Sequence, residues 1–155
     1  MLSRIIFSLV NFVARKGLAP DANGDPSPQH AKQRALRTGV RGETYAYWYL
    51  RRHGYVFVAR NFTAPGIKGE IDLIGYDRGV LAFVEVKTRI ADPDCAPLAK
   101  PEDAITHDKR RNLSRAARQF LTEKGLHQAQ CRFDVLAIEC ESGKRPQVRL
   151  HKNAW

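Results

Sequence analysis

Two apolar runs separated by a short turn dominate the middle of this chain. The runs are Glu70–Tyr76 and Val80–Thr88, with Asp77, Arg78 and Gly79 between them. Their lengths and their β-branched and aromatic residues are typical of strands, and so short a connection favours a hairpin. Because successive side chains of a strand point to opposite faces, the hairpin determines which charged residues share a face.

Charged residues interrupt the apolar runs on one face of this hairpin. We expect Asp77 to pair with Val80 across the turn. Asp72 then lies directly opposite Glu85, and Lys87 follows Glu85 on the same face. Two facing carboxylates repel each other, which destabilises the strand pair unless a cation lies between them. The hairpin therefore predicts a site for Mg²⁺ or Mn²⁺, which prefer oxygen ligands.

Lys87 is predicted to act beside this metal. An ammonium group two residues from Glu85 on the same face would orient an attacking water molecule or stabilise charge that develops on phosphorus. Glu70 also shares the face of Asp72; we expect it to be neutralised by Lys87 or Lys68, with a role near the metal as the less favoured alternative.

Helices are predicted on either side of the hairpin. Residues 38–53 have a helical pattern, and Gly54 stands where a C-terminal cap would end the helix. Glu43 lies on the core-facing stripe of that helix, so it is placed to add a third carboxylate. Residues 102–124 form a second amphipathic pattern.

Further strands complete the predicted order. They are residues 55–60 before the hairpin, residues 131–139 after the second helix, and a short last run at 147–150. The order of helix, three strands, helix and one or two strands indicates an α/β domain, a mixed β-sheet with flanking helices. We expect this domain to span residues 31–155. Asp134 in the fourth strand is assigned a structural role, and packing roles are expected for Tyr45, Tyr47, Trp48 and Tyr49.

Residues 1–30 differ in composition from the rest of the chain. Residues 1–17 are apolar, but a bilayer span needs about 20 residues. Residues 20–30 are rich in Pro, Gly, Asp and Ser and predict a flexible linker. An N-terminal segment of this kind docks on the domain or on a partner, contacts a membrane surface, or, as the least favoured alternative, directs export.

The charge of the chain favours a polyanionic partner. The 26 Lys and Arg exceed the 16 Asp and Glu, which gives a formal net charge of +10. Such an excess favours nucleic acid, with an anionic membrane surface as the alternative. Phosphate contacts are predicted for a basic cluster on the second helix: Lys109, Arg110, Arg111, Arg115 and Arg118.

The cysteines indicate a cytoplasmic location. Cys95, Cys131 and Cys140 are odd in number and lack the close paired spacing of a zinc site. We therefore expect reduced thiols, which are typical of cytoplasmic proteins.

The predicted site residues resemble a known nuclease pattern. Asp72, then Glu85-Val86-Lys87 on the next strand, with Glu43 on a preceding helix, is similar to the PD-(D/E)XK nuclease superfamily. More narrowly, the chain resembles the YraN family of small bacterial proteins, in the strings GVRGE (39–43), NF (61–62), GEIDLI (69–74), FVEVKTR (83–89) and AITHDK (104–109). That family is similar to archaeal Holliday-junction resolvases in its core, and its members are largely assigned as endonucleases.

This resemblance implies a fold and a set of roles. The fold would be restriction-endonuclease-like. Glu43, Asp72 and Glu85 would ligate Mg²⁺ or Mn²⁺, with the backbone carbonyl of Val86 as a further ligand, and Lys87 would be the catalytic lysine.

The implied activity is metal-dependent hydrolysis of DNA phosphodiester bonds, at branched or distorted structures. Arg89 and the basic cluster would hold the flanking phosphates. Resolution of a four-way junction needs two cuts and would imply a homodimer. Two alternatives stay open: a catalytically inert nucleic-acid-binding module of the same fold, and a peripheral membrane or interaction protein led by the N-terminal segment.

Overall fold

A mixed sheet with a helix packed on each face carries the predicted site. The computed structural model describes residues 6, 8–9, 28–90, 105–141 and 144–155, and for residues 28–37 and 90 it describes the backbone only. Within these ranges the longer elements are α1 (Pro28–Arg52), β1 (Val56–Thr63), β2 (Glu70–Asp77), β3 (Val80–Ile90), α2 (His107–Glu123), β4 (Cys131–Cys140) and β5 (Gln147–His151). The predictions for residues 1–27 lie almost entirely outside the described residues, and residues 91–104 lie outside them as well.

The five strands lie in the order β1-β2-β3-β4-β5. Neighbouring strands are antiparallel except β3 and β4, which are parallel. A parallel pair needs a crossover connection, and α2 lies in the connection between these two strands. The mixed α/β arrangement predicted from the order of elements is confirmed.

Helix α1 begins earlier than the sequence pattern indicated. Its first residue is Pro28, ten positions before the predicted start, so the prediction of a linker was wrong for residues 28–30. Proline is favoured in the first turn of a helix, and the sequence AKQRALR at 31–37 consists of strong helix formers. The helix ends as predicted, because Gly54 has a φ of +94° and the amide of Tyr55 donates to the carbonyl oxygen of Leu50 at 3.1 Å. In the described part of the chain, no helix has both the length and the apolar composition needed to span a membrane.

The two faces of the sheet carry separate cores. On one face, Tyr45, Ala46 and Leu50 of α1 pack in one buried cluster with Ala82 and Val84 of β3. The predicted packing aromatics lie against this cluster: Tyr47, Trp48 and Tyr49. On the other face, α2 packs on Leu81 and Phe83, so the predicted alternation of β3 is confirmed.

The hairpin has the predicted turn, but its pairing stops at the site. Asp77 pairs with Val80, and the ladder continues as far as Leu73 and Val84. Asp72 and Glu85 are the next residues on each strand and lie beyond the last pair. The regular pairing of the strands therefore ends at the position where two carboxylates were expected to face each other.

The side-chain alternation of β2 is also interrupted at this point. Ile71 packs in the same cluster as Ile74, whereas Leu73 packs in the cluster on the other face. Strict alternation would place Ile71 and Leu73 on the same face. Asp72 lies between these two residues, so the irregularity directs its carboxylate out of the regular strand pattern.

A polar network closes the opposite end of the hairpin. Asp134 is fully buried and accepts hydrogen bonds from Tyr55 Oη at 3.0 Å and from Arg132 Nε at 2.9 Å. Arg132 also donates to Asp77, and the amide of Asn153 donates to Asp134 at 3.0 Å. These contacts attach the C-terminal segment to the sheet and support the structural role predicted for Asp134.

Candidate metal centre

Three carboxylates from two elements meet beside the open end of the hairpin. Glu43 lies on α1, and Glu70 and Asp72 lie on β2; one oxygen from each lies within 4.8 Å of the other two. Asp72 is buried, Glu43 is partly buried and Glu70 is exposed, so the cluster reaches from the interior to solvent. An all-oxygen set at this spacing matches the ligand preference of Mg²⁺, Mn²⁺ or Ca²⁺.

Glu85 adds an unsatisfied buried oxygen. Its side chain is 3% exposed. Glu85 Oε1 forms ion pairs with Lys87 Nζ, at 2.9 Å, and with Lys109 Nζ. Glu85 Oε2 is buried and has no hydrogen-bond partner. A buried carboxylate oxygen without a partner is costly, and a cation is the ligand that such an oxygen accepts best.

The ionised form of Asp72 is disfavoured by its surroundings. Burial, followed by the negative charge of Glu85, raises its pKa from 3.8 to about 7. The backbone N–H of Val86, which donates to Asp72 Oδ2 at 2.6 Å, opposes this shift, and so does the positive charge of Lys109. A bound divalent cation would oppose this shift, because it favours the ionised carboxylate.

Lys109 belongs to this centre and not to the outer surface of its helix. It lies in the first turn of α2, where its backbone N–H donates to the N-cap Thr106 Oγ1 at 3.3 Å. Burial disfavours its charged form, but the hydrogen bond and negative charge of Glu85, with the charge of Asp72, outweigh burial and raise the Lys109 pKa. Lys109 was predicted to contact a flanking phosphate; in the structure its ammonium group is bonded to Glu85.

Two neighbours position Glu43. Asn61 Nδ2 donates to Glu43 Oε2 at 2.8 Å. The preceding residue, Gly42, allows α1 to approach β3 closely, because a Cβ at this position would overlap Thr88 Oγ1. The orientation of Glu43 thus depends on contacts to both β1 and β3.

A cleft opens beside the carboxylate cluster, and Glu70 is the member of the cluster that lines it. It has a volume of about 510 Å³ and runs between the start of β2 and the first turns of α2. Its polar lining is mostly charged: Lys68, Glu70, Asp108, Lys109, Arg111 and Asn112. A second groove along α2 also includes Arg111 and continues past Arg115 and Arg118. The two depressions share a residue, so the carboxylates are connected to a basic helix face.

The predicted phosphate contacts are not equally accessible. Arg89 donates to Glu139 at 2.7 Å, and Arg110 donates to the carbonyl oxygen of Ile105 at 3.2 Å. Arg111 is paired with Asp108 at 2.9 Å but remains exposed, and Arg115 is exposed as well. Of the predicted set, Arg111 and Arg115 are the most accessible, together with Arg118.

Comparison with known proteins identifies the family. The model of the Uncharacterised protein family UPF0102 matches residues 42–138. The chain belongs to this family. A UPF0102 protein of Koribacter versatilis is 39% identical over 128 residues, which cover 83% of this chain and 85% of that protein. A UPF0102 protein of Geobacter sulfurreducens is 42% identical over 117 residues, which cover 76% of this chain and 87% of that protein. A UPF0102 protein of Symbiobacterium thermophilum is 41% identical over 119 residues, which cover 77% of this chain and 96% of that protein.

The UPF0102 match confirms the family-level resemblance predicted from the sequence. The matched range begins one residue before Glu43 and ends in β4. The carboxylate cluster, Glu85 and both lysines bonded to it therefore lie inside the part of the chain that the family model covers.

In this UPF0102 protein the residues that form the close carboxylate cluster differ from the predicted set. The structure brings Glu43 and Asp72 together as expected, but the third member of the close cluster is Glu70. Glu85 is instead paired with Lys87 and with Lys109. Val86 reaches Asp72 through its backbone N–H, and its carbonyl as a metal ligand stays a prediction.

The sequence analysis did not single out Asn61, placed Glu70 near the metal only as the less favoured alternative, and predicted a phosphate contact for Lys109. The position of Glu70, two residues from Asp72 on one strand, was the available signal for its membership. Asn61 and Lys109 gave no such signal, because their contacts join elements that are far apart in sequence.

Proposed function

We propose that this member of UPF0102 is a nuclease that uses a divalent metal ion to hydrolyse phosphodiester bonds in DNA. One observation carries the proposal: three carboxylate oxygens converge beside a buried glutamate whose second oxygen has no partner, and a lysine contacts the other oxygen of that glutamate. Most buried side-chain polar atoms in folded proteins have a hydrogen-bond partner, so a buried carboxylate oxygen without one, next to further carboxylates, fits a cation ligand. The similarity of the quoted strings to PD-(D/E)XK nucleases supports the same conclusion.

The donor set fits Mg²⁺ or Mn²⁺ better than zinc. The clustered ligands are carboxylates, with neither histidine nor cysteine among them. Zinc sites favour nitrogen and sulfur ligands, whereas hard cations take carboxylates and keep waters for phosphate oxygens to replace. Glu43, Glu70 and Asp72 would hold the ion, with Glu85 Oε2 as a further ligand. Such an ion would neutralise charge on the phosphate and lower the pKa of an attacking water molecule.

The protein's own groups supply position and charge. Lys87 Nζ lies 2.9 Å from Glu85 Oε1, so it is held next to the carboxylates, where it orients water or stabilises negative charge on phosphorus. The cleft between β2 and α2 admits the scissile phosphate, and Arg111, Arg115 and Arg118 bind the flanking phosphates. Recognition in this proposal depends on the backbone and shape of the nucleic acid and not on base sequence.

A cleavage assay tests the proposal. The assay uses four substrates: linear, flapped, single-stranded and four-way-junction DNA. Each is incubated in Mg²⁺ and in Mn²⁺ with wild type, Asp72→Ala and Lys87→Ala. Lys124→Ala, an exposed position just after the C-terminal end of α2, is the control. We expect equal binding by all four proteins, cleavage by wild type and Lys124→Ala, and a loss of at least about 100-fold in the two site variants. Resolution of the four-way junction by two cuts would imply a dimer, which sedimentation of the complex would detect.

One observation favours a second function. Glu85 is already neutralised by two lysines, which is how an inactive site that keeps the fold would be stabilised. This alternative, an inert nucleic-acid-binding module, predicts tight binding without cleavage by any of the four proteins. Cleavage that survives both site substitutions would instead indicate a contaminating nuclease and contradict the assignment.

A further inference from the structure

One oxygen of Glu85 holds two ammonium groups. Lys87 reaches it from the same strand, two residues away, and Lys109 reaches it from α2, 24 residues away. Two positive charges on one oxygen repel each other, and the second Glu85 oxygen has no partner. The positive charge around Glu85 is therefore concentrated on one of its two oxygens. A further cation bound to the carboxylates would leave one of the two lysines in excess.

Lys109 is the lysine that is placed to leave. It lies in the first turn of α2, where the helix dipole disfavours a positive charge. It also lines the cleft, whereas Lys87 does not line it. Its bond to Glu85 offsets the unfavourable helix position, and its side chain can extend into the cleft by rotation of its own stem.

We propose that Lys109 is the exchangeable counterion of the metal centre. In the metal-free protein it neutralises Glu85; when a divalent cation binds the carboxylates, its ammonium group is released into the cleft, where it becomes a ligand for a phosphate of the substrate. This inference rests on the proposed function and deepens it, because the phosphate ligand becomes available only after the metal has bound. Metal then binds before nucleic acid.

Mn²⁺ binding in the absence of nucleic acid tests the exchange. The free Mn²⁺ signal in electron paramagnetic resonance is titrated with the full-length wild type, Lys109→Met and Lys109→Arg. Lys109→Met keeps the apolar stem but removes the competing charge, so we expect it to bind Mn²⁺ about tenfold more tightly than wild type. Lys109→Arg keeps the charge and should remain close to wild type.

Lys68 provides the matched control. It lines the same cleft but is not one of the lysines bonded to Glu85. Lys68→Met removes the same charge from the cleft, and we expect its Mn²⁺ affinity to stay within about twofold of wild type. Equal affinities for Lys109→Met and Lys68→Met, or weaker binding by Lys109→Met, would overturn the exchange.

A second measurement uses the wild-type protein alone, so it does not depend on whether a variant folds. Lysine acetylation by a brief pulse of acetic anhydride is read for each residue by mass spectrometry, with and without Mn²⁺. We expect labelling of Lys109 to rise at least about threefold with Mn²⁺, while labelling of the exposed Lys124 stays constant. Unchanged or reduced labelling of Lys109 at saturating Mn²⁺ would contradict its release.

The results separate this inference from the proposed function. If wild type shows no saturable Mn²⁺ binding that Asp72→Ala abolishes, the metal centre is wrong and both proposals are rejected. If wild type binds Mn²⁺ through Asp72 but Lys109→Met does not tighten the affinity and labelling does not rise, only the exchange is rejected.

Discussion

Asn61 Nδ2 donates a 2.8 Å hydrogen bond to Glu43 Oε2 from a backbone position with a φ of +48°. Residues other than glycine rarely adopt this left-handed conformation, although asparagine tolerates it better than most. The contact joins β1 to α1 and orients one carboxylate of the candidate centre. A strained backbone that positions a ligand is an arrangement found at functional sites.

Replacing Asn61 should weaken metal binding without unfolding the protein. Asn61→Gly keeps the left-handed backbone and removes only the side chain, so we expect unchanged thermal stability and an increase of about threefold to tenfold in the Mn²⁺ dissociation constant. Asn61→Ala should show the same loss of affinity, with an added destabilisation of about 1 kcal/mol from the backbone strain. Wild-type affinity in Asn61→Gly would show that Glu43 needs no positioning.

Two glycines of α1 should respond in opposite ways to alanine. A Cβ at Gly42 would overlap Thr88 Oγ1, whereas a Cβ at Gly39 would meet nothing within 4 Å. We expect Gly42→Ala to reduce the free energy of unfolding by about 1 to 3 kcal/mol and to weaken Mn²⁺ binding, because α1 must move and Glu43 moves with it. Gly39→Ala should raise the free energy of unfolding by about 0.5 to 1 kcal/mol and leave Mn²⁺ binding unchanged. Urea denaturation with a parallel Mn²⁺ titration measures both quantities.

Much of this fold was readable from local patterns. The turn between Asp77 and Val80, the faces of Leu81 and Val84 and the helix end at Gly54 all follow from periodicity and turn chemistry, which act over a few residues. The early start of α1 was missed because a proline-rich composition was given more weight than the helix formers that follow it.

The candidate site was predictable only in part. Glu43, Asp72, Glu85 and Lys87 could be selected because a charge in an apolar pattern is visible in sequence. The regular strand pairing ends at Leu73 and Val84, one residue short of Asp72 and Glu85. This end was not visible in the sequence, since it depends on the three-dimensional arrangement of the strands. Beyond it, the Asp72 carboxylate lies close to those of Glu43 and Glu70.

The stability of the metal-free protein should fall as pH rises through the neutral range. The Asp72 pKa is raised from 3.8 to about 7, so between these values the folded protein retains a proton that the unfolded chain releases. The stabilising effect of that proton is complete below pH 3.8 and is lost as pH rises through 7. Asp72→Asn has no such proton, so we expect it to be more stable than wild type at pH 8 by about 2 to 4 kcal/mol, and nearly equal to it at pH 4.

Chelator and Mg²⁺ provide the control for this pH dependence. In wild type, Mg²⁺ should restore stability at pH 8, because it binds the ionised carboxylates; in Asp72→Asn, it should have little effect. Denaturation curves at several pH values, with chelator or with Mg²⁺, measure both. Parallel pH profiles for the two proteins in chelator would show that Asp72 titrates normally.

The polar network around Asp134 should affect stability alone. Tyr55→Phe removes two hydrogen bonds of the network, one to Asp134 and one from Arg132, with an expected loss of about 1 to 2 kcal/mol. Asp134→Asn removes the negative charge that pairs with Arg132, with an expected loss of about 3 kcal/mol. The network reaches Asp77, which lies five residues along β2 from Asp72, or roughly 17 Å at the rise of an extended strand. Mn²⁺ affinity should therefore be unchanged in both variants, and a parallel loss of affinity would show that the two ends of the sheet are coupled.

The salt dependence of DNA binding should identify the basic face of α2. Arg115 and Arg118 are exposed in the groove that continues the cleft. If each contacts one phosphate, the double variant Arg115→Gln/Arg118→Gln should reduce the slope of log affinity against log salt by about two for duplex DNA. The double variant Arg51→Gln/Arg52→Gln removes the same charge from exposed residues of α1, on the other face of the sheet, and should change the slope by less than about 0.5. Fluorescence anisotropy over a range of KCl concentrations in chelator gives both slopes without cleavage. Equal slopes for the two double variants would mean that DNA responds to the net charge of the protein, and the groove along α2 would lose its assigned role.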